Sequence, residues 1–330
     1  NIFGYSSPEA DAVLRDGTAK GLDYRGWSSR EGAQLGDLER RWVDIVARLG
    51  NSMSANAFWA LVRAIKAAGL EKARIATDEP RLAGWLAACG LDRISCHYRV
   101  DLFNELRLIK TPDEIDLLKK AARCNETALL SAADSMVEHI TWKELENIYM
   151  ISMARQGGRG VYLNCGVGEL PGGHIRRGEP VMFDALGQFE HYHGDFGRCV
   201  VLGEPTMEHR QRYRAICNGW EVAQEYLKPG IRYSELSAAV GKAVRREGFS
   251  GFRYPVVHSL GLEHTDDPKP AGVQPQDKPD QVLQKDMVVN VDMPHTEIGW
   301  GSVHMEDTVV ITNNGCQRLA SADSSLRIID

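Results

Sequence analysis

The sequence predicts an α+β chain in two parts: a smaller α/β unit over residues 1–105, and a larger one over residues 106–330 in which helices back a sheet. Three observations carry this. In the first third, amphipathic helical stretches alternate with short apolar strands, the rhythm of a mostly parallel sheet. A helix-start signal, Arg107 to Asp116 (RLIKTPDEID), then marks a boundary. Beyond it, four strand-like apolar runs each hold an acid and a fifth ends in a histidine.

The elements follow in order. Asp37 to Gly50 places Leu38, Trp42, Ile45, Val46 and Leu49 on one helical stripe, stopped by the glycine. Ser54 is suited to cap a second helix with Phe58, Leu61, Val62 and Ile65 on its inner side and Gly69 as its stop. Ala73 to Thr77 reads as a strand, Pro80 to Gly90 as a helix, and Ile94 to Val100 as a further strand. Cys96 and His97 resemble a ligand pair only superficially, and no site is expected in this part. Across the boundary, Thr111 is an N-cap with Pro112 at the first helical position and Asp113 and Glu114 in the first turn. Thr141 and Glu144 form a capping-box pair ahead of a second helix. Later helices are expected from about Met207 to Tyr226 and from Tyr233 to Gly248.

Composition narrows the function. Charged residues make up 25% and hydrophobic ones 43%, a globular balance. The net charge of −6, with no basic stripe, argues against nucleic acid as a partner. No apolar run approaches the roughly 18 residues that span a bilayer, and the start shows no secretory pattern. Seven scattered cysteines without a CxxC pair suit reduced thiols and a cytoplasmic location. The chain opens at Asn1 without Met, which reads as a processed or truncated product.

The stretch Val181 to Leu202 (VMFDALGQFEHYHGDFGRCVVL) is two apolar runs around a polar hairpin. Asp184 and Asp195 stand eleven residues apart, a spacing that sets them face to face across an antiparallel pair. Taken singly, an aspartate near a strand end is more often a turn former or a surface ion pair. The pattern recurs, however. His258 ends a short apolar strand, Asp292 follows Val288 to Val291, and Glu306 opens the run to Ile311. Buried carboxylates repel unless a proton or a cation lies between them. Several carboxylates with one imidazole suit hard or borderline divalent ions such as Mn, Fe, Co or Zn. Acids free to bridge would hold two ions roughly 3.5 Å apart.

In order and context these segments resemble the pita-bread metallohydrolases, a family that includes methionine aminopeptidase, aminopeptidase P, prolidase and the metal-free creatinase. The matching elements are FDALG with Asp184, HGDFGR with Asp195, HSLGLEH with His258, NVDMP with Asp292 and HMEDTVVIT with Glu306, over residues 105 to 330. The N-terminal part resembles the creatinase-type domain of the same family, shortened. The resemblance implies a pita-bread catalytic domain holding two divalent ions. Asp184 would serve one ion, Asp195 and Glu306 both, and His258 and Asp292 the other. A water activated by these ions would attack an Xaa-Pro dipeptide or another small amide, with Asp292 as proton shuttle. A homodimer is implied in the same way. The departures are Asp292 where the family has Glu, His264 six rather than seven residues after the ligand histidine with Thr265 behind it, and His304 where proline-specific members carry Arg. His264 and His304 join Asp292 as candidate catalytic residues. These departures motivate an alternative: the fold retooled for a small metabolite, as a creatinase-like or ectoine-hydrolase-like C–N hydrolase or a dimethylsulfoniopropionate lyase. A non-enzymatic binding protein is the third reading, opposed by the energetic penalty of unpaired buried acids. Arg198 is expected in a structural ion pair, and Asp266 to Gln281 as a solvated loop at the cavity mouth.

Overall fold

A computed structural model describes residues 30–49, 54–167, 170–171, 173–253, 255–269 and 280–330, with the backbone of 5–7. The chain divides into two compact units, Asn1–Leu102 and Phe103–Asp330.

The first unit holds β1 (Tyr5–Ser7), α1 (Asp37–Leu49), β2 (Ser54–Asn56), α2 (Ala57–Ala67), β3 (Arg74–Thr77), α3 (Leu82–Ala88) and β4 (Ser95–Tyr98). Its strands form two parallel pairs, β1 with β2 and β3 with β4. Phe58, Val62 and Ile65 of α2 meet Leu82 and Leu86 of α3 in a small apolar core. Two expectations fail here. The cap of α2 is Asn56, whose side chain accepts from the Trp59 N–H at 3.0 Å, because Ser54 is already committed to strand β2. Leu61 faces outward, at 40% exposure. None of the side chains of α1 is buried among the described residues, although its apolar stripe is present.

The second unit opens with α4 (Leu102–Arg107), α5 (Pro112–Asp134) and α6 (Trp142–Arg155). Capping boxes start the latter two at Thr111/Glu114 and Thr141/Glu144, as the sequence predicts. Then come β5 (Arg159–Val167), β6 (Leu170–Pro171), β7 (Pro180–Phe189), β8 (Tyr192–Leu202), α7 (Met207–Tyr226) and α8 (Tyr233–Arg246). The chain ends with β9 (Val256–Ser259), β10 (Val288–Asp292), β11 (His295–Glu297), β12 (Gly301–Val303), β13 (Glu306–Ile311), β14 (Cys316–Arg318) and β15 (Arg327–Ile329). The main sheet runs β6-β5-β7-β8-β13-β10-β9, with β14 on β13 and β15 on β8.

Strand alternation sorts the side chains. Phe183 and Ala185 of β7 enter an apolar cluster with Ala128, Leu129, Tyr149 and Met153 of α5 and α6. Val289, Val291, Val309 and Ile311 of β10 and β13 enter a second cluster with Trp220, Leu236 and Val240 of α7 and α8. Asp184, Asn290, Asp292, Glu306 and Thr308 alternate to the opposite face. These clusters lie on the face opposite the acids; on the acid-bearing face, beyond Asn290 and Thr308, Val288 and Val310 pack against Leu118 and Ala122 of α5.

One buried amide ties α5 to the two strands that carry the first acids. Asn125 Nδ2 donates to the carbonyls of Ala185 at 2.6 Å and Gly194 at 2.9 Å, and Tyr149 donates to its Oδ1 at 2.5 Å. Gly194 allows this approach, since a Cβ there would lie 2.4 Å from the Ala121 carbonyl oxygen. Asn125→Ala leaves both strand carbonyls without their donor. It is expected to lower unfolding free energy by roughly 2–4 kcal/mol in urea titration, with the secondary structure retained.

Candidate metal centre

The two residues at the tip of the β7–β8 hairpin set the register on which the site depends. Glu190 and His191 both have positive φ, 48° and 70°, which closes a two-residue turn of the primed kind. That tight turn pairs Asp184 with Gly197 and Leu186 with Asp195. The two aspartates are therefore diagonal neighbours on one face rather than directly opposite, a correction to the reading from spacing alone.

The register continues across the sheet as two transverse rows. In the first, Asp184 pairs with Gly197, Gly197 with Glu306, and Glu306 with Asp292. In the second, roughly 6.5 Å along the strands, Thr308 pairs with Asn290 and Asn290 with His258. Thr308 Oγ1 donates to the Asp195 carbonyl at 2.9 Å, which joins Asp195 to that row. Residues scattered over more than a hundred positions thus meet in two adjacent lines.

Gly197, between Asp184 and Glu306, is needed for its lack of a side chain. A Cβ there would lie 2.1 Å from His304 Cε1 and 2.8 Å from Glu306 Oε2. Into that space comes His304 from the link between β12 and β13. It is fully buried, with Nδ1 3.1 Å from the Phe183 carbonyl oxygen and Nε2 2.6 Å from Asp292 Oδ1. At the other end, His264 Nε2 lies 3.0 Å from Asp195 Oδ2, and His258 Nε2 lies 3.6 Å from the same oxygen. The two rings meet edge-on, 5.1 Å between centroids.

The segment carrying His264 is fixed at both ends. Asp266, completely buried, accepts from Lys110 Nζ at 3.1 Å and from Arg107 at 2.8 Å. Asp267 accepts from the Ser259 N–H at 3.1 Å and from Tyr233 at 3.2 Å. His193 of β8 donates its backbone N–H to Gly261 at 2.9 Å. The sequence predicts a solvated loop from Asp266, but its first two residues are buried anchors; residues 270–279 lie outside the described residues. Arg198 meets its expectation as a structural ion pair. It is buried against Asp307 at 3.1 Å and donates to the Gly197 and Glu306 carbonyls at 2.7 and 2.8 Å, so it clamps β8 to β13 at the site. Trp300 lies over the Arg212 guanidinium of α7, 4.0 Å away.

Among the described residues, donor atoms gather in three overlapping triads: Asp195 with His258 and His264, Asp184 with Asp195 and Glu306, and Asp292 with His304 and Glu306. All five residues expected as metal ligands, and both candidate catalytic histidines, are in this set. Asp292 shares its triad with His304 rather than with His258.

The electrostatics are those of a site built for cations. Burial, then the repulsion of Asp195 and Asp292, raises the Asp184 carboxyl from 3.8 to about 6, against a lowering pull from His304. Burial and the same acids push Glu306 well above the ordinary carboxylate value. Asp195 Oδ1 and Glu306 Oε2 are buried without a hydrogen-bond partner. Such orphaned oxygens, several carboxylates and two or three imidazoles fit hard or borderline divalent ions.

The family assignment agrees. The family model for metallopeptidase family M24 matches residues 116–313. The chain belongs to metallopeptidase family M24. It is thereby a metallopeptidase-type hydrolase with the α+β pita-bread fold. A relative, the Xaa-Pro dipeptidase of Pyrococcus furiosus, is 27% identical over 237 residues, 68% of this chain and 67% of that protein. The Pyrococcus horikoshii Xaa-Pro dipeptidase is also 27% identical, over 68% of this chain and 66% of that protein. Among solved structures, an Xaa-Pro dipeptidase from Bacillus anthracis superposes with TM-score 0.72 at 21% identity, covering 88% of this chain and 84% of that one. An X-Pro aminopeptidase from Thermotoga maritima gives 0.71 at 19%, covering 88% and 86%. No helix among the described residues is long and apolar enough to cross a membrane.

The sequence treats His304 as a substrate-side group, whereas the structure buries it among the acids. The signal was its place two residues before Glu306, on the same strand-like run. What the sequence missed entirely is Gly197, whose role depends on cross-strand register.

Two outcomes are expected. Gly197→Ala forces a methyl into His304 and Glu306; it should abolish divalent-ion binding and lower stability by about 1–3 kcal/mol, read by metal analysis and urea titration. In the metal-free protein, Asp184 holds its proton more tightly when folded than when unfolded. Its stabilising contribution is therefore full below about pH 4 and lost as pH rises to about 6. Relative to Asp184→Asn, metal-free wild type should lose on the order of 2 kcal/mol over that window, and adding a divalent ion should restore it.

Proposed function

We propose that this chain is a dinuclear metal-dependent hydrolase of a small amide, most simply an Xaa-Pro dipeptide as in its named relatives. The observation that carries the reading is the convergence of Asp184, Asp195, His258, Asp292 and Glu306, from five strands, around buried oxygens with no other partner. In this reading those five residues hold two divalent ions, of Mn, Fe, Co or Zn. When bound, such ions supply Lewis acidity, lowering the pKa of water and polarising a carbonyl.

The chain's own residues supply the rest. Asp292 retains some exposure, 21% of its side chain, and so can take a proton from the attacking water at a carboxylate oxygen. Of the site's three imidazoles, His264 has the most access to solvent, its side chain 42% exposed. Its hydrogen bond with Asp195 raises its basicity, against the opposing effect of burial. A proton on Nε2 is shared with Asp195 Oδ2 at rest and can pass from there toward the departing nitrogen. The Asp266 anchors to Lys110 and Arg107 fix the segment from which His264 projects.

A second reading has its own support. His304 is buried and turned toward Asp292, so it offers no open cation for a substrate's carboxylate. That favours a small C–N substrate without a C-terminal carboxylate, or lyase chemistry on a sulfonium compound. The reading also includes a cytoplasmic location, which the seven free cysteines support, and a homodimer.

Protein purified without chelator should carry close to two ions per chain and lose activity on chelation. A panel of Xaa-Pro dipeptides, creatine, ectoine and dimethylsulfoniopropionate assigns the substrate class. Asp195→Ala should lose metal and turnover together; full activity in that variant, or none of the panel being consumed by metal-loaded wild type, would contradict the reading.

A further inference from the structure

His304 has a role to which neither acid–base chemistry nor substrate contact is suited. We propose that His304 Nε2 is itself a metal ligand, completing with Asp292 and Glu306 the coordination of one of the two ions. The inference rests on the dinuclear reading above and adds a sixth ligand to its five.

The tautomer comes first. His304 Nδ1 lies 3.1 Å from the Phe183 carbonyl oxygen, which can only accept, so Nδ1 carries a proton. In the neutral ring Nε2 then bears a lone pair. That lone pair faces Asp292 Oδ1 at 2.6 Å and Glu306 Oε2 at 3.6 Å. Three electron-rich atoms aimed at one point repel unless a cation sits among them. A proton on Nε2 is the other solution, and it is incomplete. It satisfies Asp292 alone and leaves Glu306 Oε2 buried without a donor. A divalent ion satisfies all three atoms, which lie within 4.8 Å of one another.

The surroundings are those of a ligand rather than of a core histidine. An Nδ1–H donated to a backbone carbonyl is the outer-sphere bond that orients a metal-bound imidazole. The glycine at 197 keeps the ring's space open. The ring is fully buried, which excludes direct contact with a substrate in solution. Asp292 is short for a residue projecting from a strand, and His304 brings a second donor to the same point from the neighbouring link. Each ion then has an imidazole: His258 at one end of the cluster, His304 at the other. A nitrogen donor at both favours borderline ions such as Co, Fe and Zn over Mn.

The test uses full-length protein loaded with Co(II). Proton NMR of the wild type should show, among the paramagnetically shifted exchangeable signals, the Nδ1–H of His304, identified by its proximity to Phe183. His304→Gln should remove that signal. It should weaken the binding of one ion, read by calorimetry, by more than the roughly 10–100-fold expected from loss of an outer-sphere partner, and leave the other ion's affinity unchanged. Should the variant not fold, the wild-type spectrum decides alone. Two bound ions with no shifted His304 signal, or unchanged affinity for both ions in His304→Gln, overturns the proposal and leaves the dinuclear reading standing. A wild type that binds no ion overturns both.

Discussion

The second unit is organised around an electrostatic liability, four carboxylates from four strands on one buried face. Burial weakens the screening between them, and each raises the free energy of ionising the next. The effect is visible in Asp184 and Glu306, both pushed upward by burial and then by their neighbours. No lysine or arginine among the described residues resolves this. Arg198 is close in sequence to Asp195, yet its charge is spent on Asp307 and on backbone carbonyls behind the site. Of the imidazoles, His258 and His264 reach Asp195, and His304 reaches Asp292 at 2.6 Å and Glu306 at 3.6 Å. The arrangement is stable with external cations and strained without them, so metal affinity and folding are two faces of one balance.

Holding such a cluster together demands a rigid frame, and the frame is the sheet register. A slip of one residue in any strand would turn its acid into the helix-covered core. The primed turn at Glu190 and His191 prevents this for β7 and β8. Asn125 pins the same two strands from behind, and Arg198 joins β8 to β13 where the ladder itself contributes a single pair, Glu306 with Gly197. The buried charged groups flanking the site are thus used for position rather than for chemistry. Asp266, Asp267, Asp307 and Arg198 all have their partners in place.

Much of this was legible in the sequence, for definite reasons. An acid inside an apolar strand is costly, so each of the four such positions stood out locally, as did the threonine-to-glutamate capping boxes at Thr111 and Thr141. What was not legible is anything set by pairing. Asp184 and Asp195 are offset by two residues because the two-residue turn closes at Glu190 and His191, one position later than direct opposition requires. Asn56 rather than Ser54 caps α2 because Ser54 is drawn into a strand by a partner far away in sequence. Gly197 looks like any glycine until β13 is laid beside it. The Pro- and Asp-rich segment from Asp266 reads as surface, yet its first two acids are buried because Lys110, Arg107, Tyr233 and the Ser259 N–H, distant in sequence, meet them.

The two histidines that sequence order marks as departures acquire distinct physical characters from burial alone. His264, nearly half exposed and hydrogen-bonded to one carboxylate, can exchange a proton with solvent and return to its starting state after each turnover. His304, with no exposed atom and its Nδ1 committed to a carbonyl, cannot exchange freely with water and is locked in one tautomer. An imidazole of the first kind is useful as an acid or base; one of the second kind is useful only if something fixed accepts its lone pair. Because Asp292 lies against His304, its carboxylate is held from one side and open on the other. Any proton it takes up must come and go by that open side, the side from which a substrate must also approach. Under the proposed mechanism, binding of substrate and relay of the proton would compete for that opening, and His264, across the cluster, would give the proton a second way out.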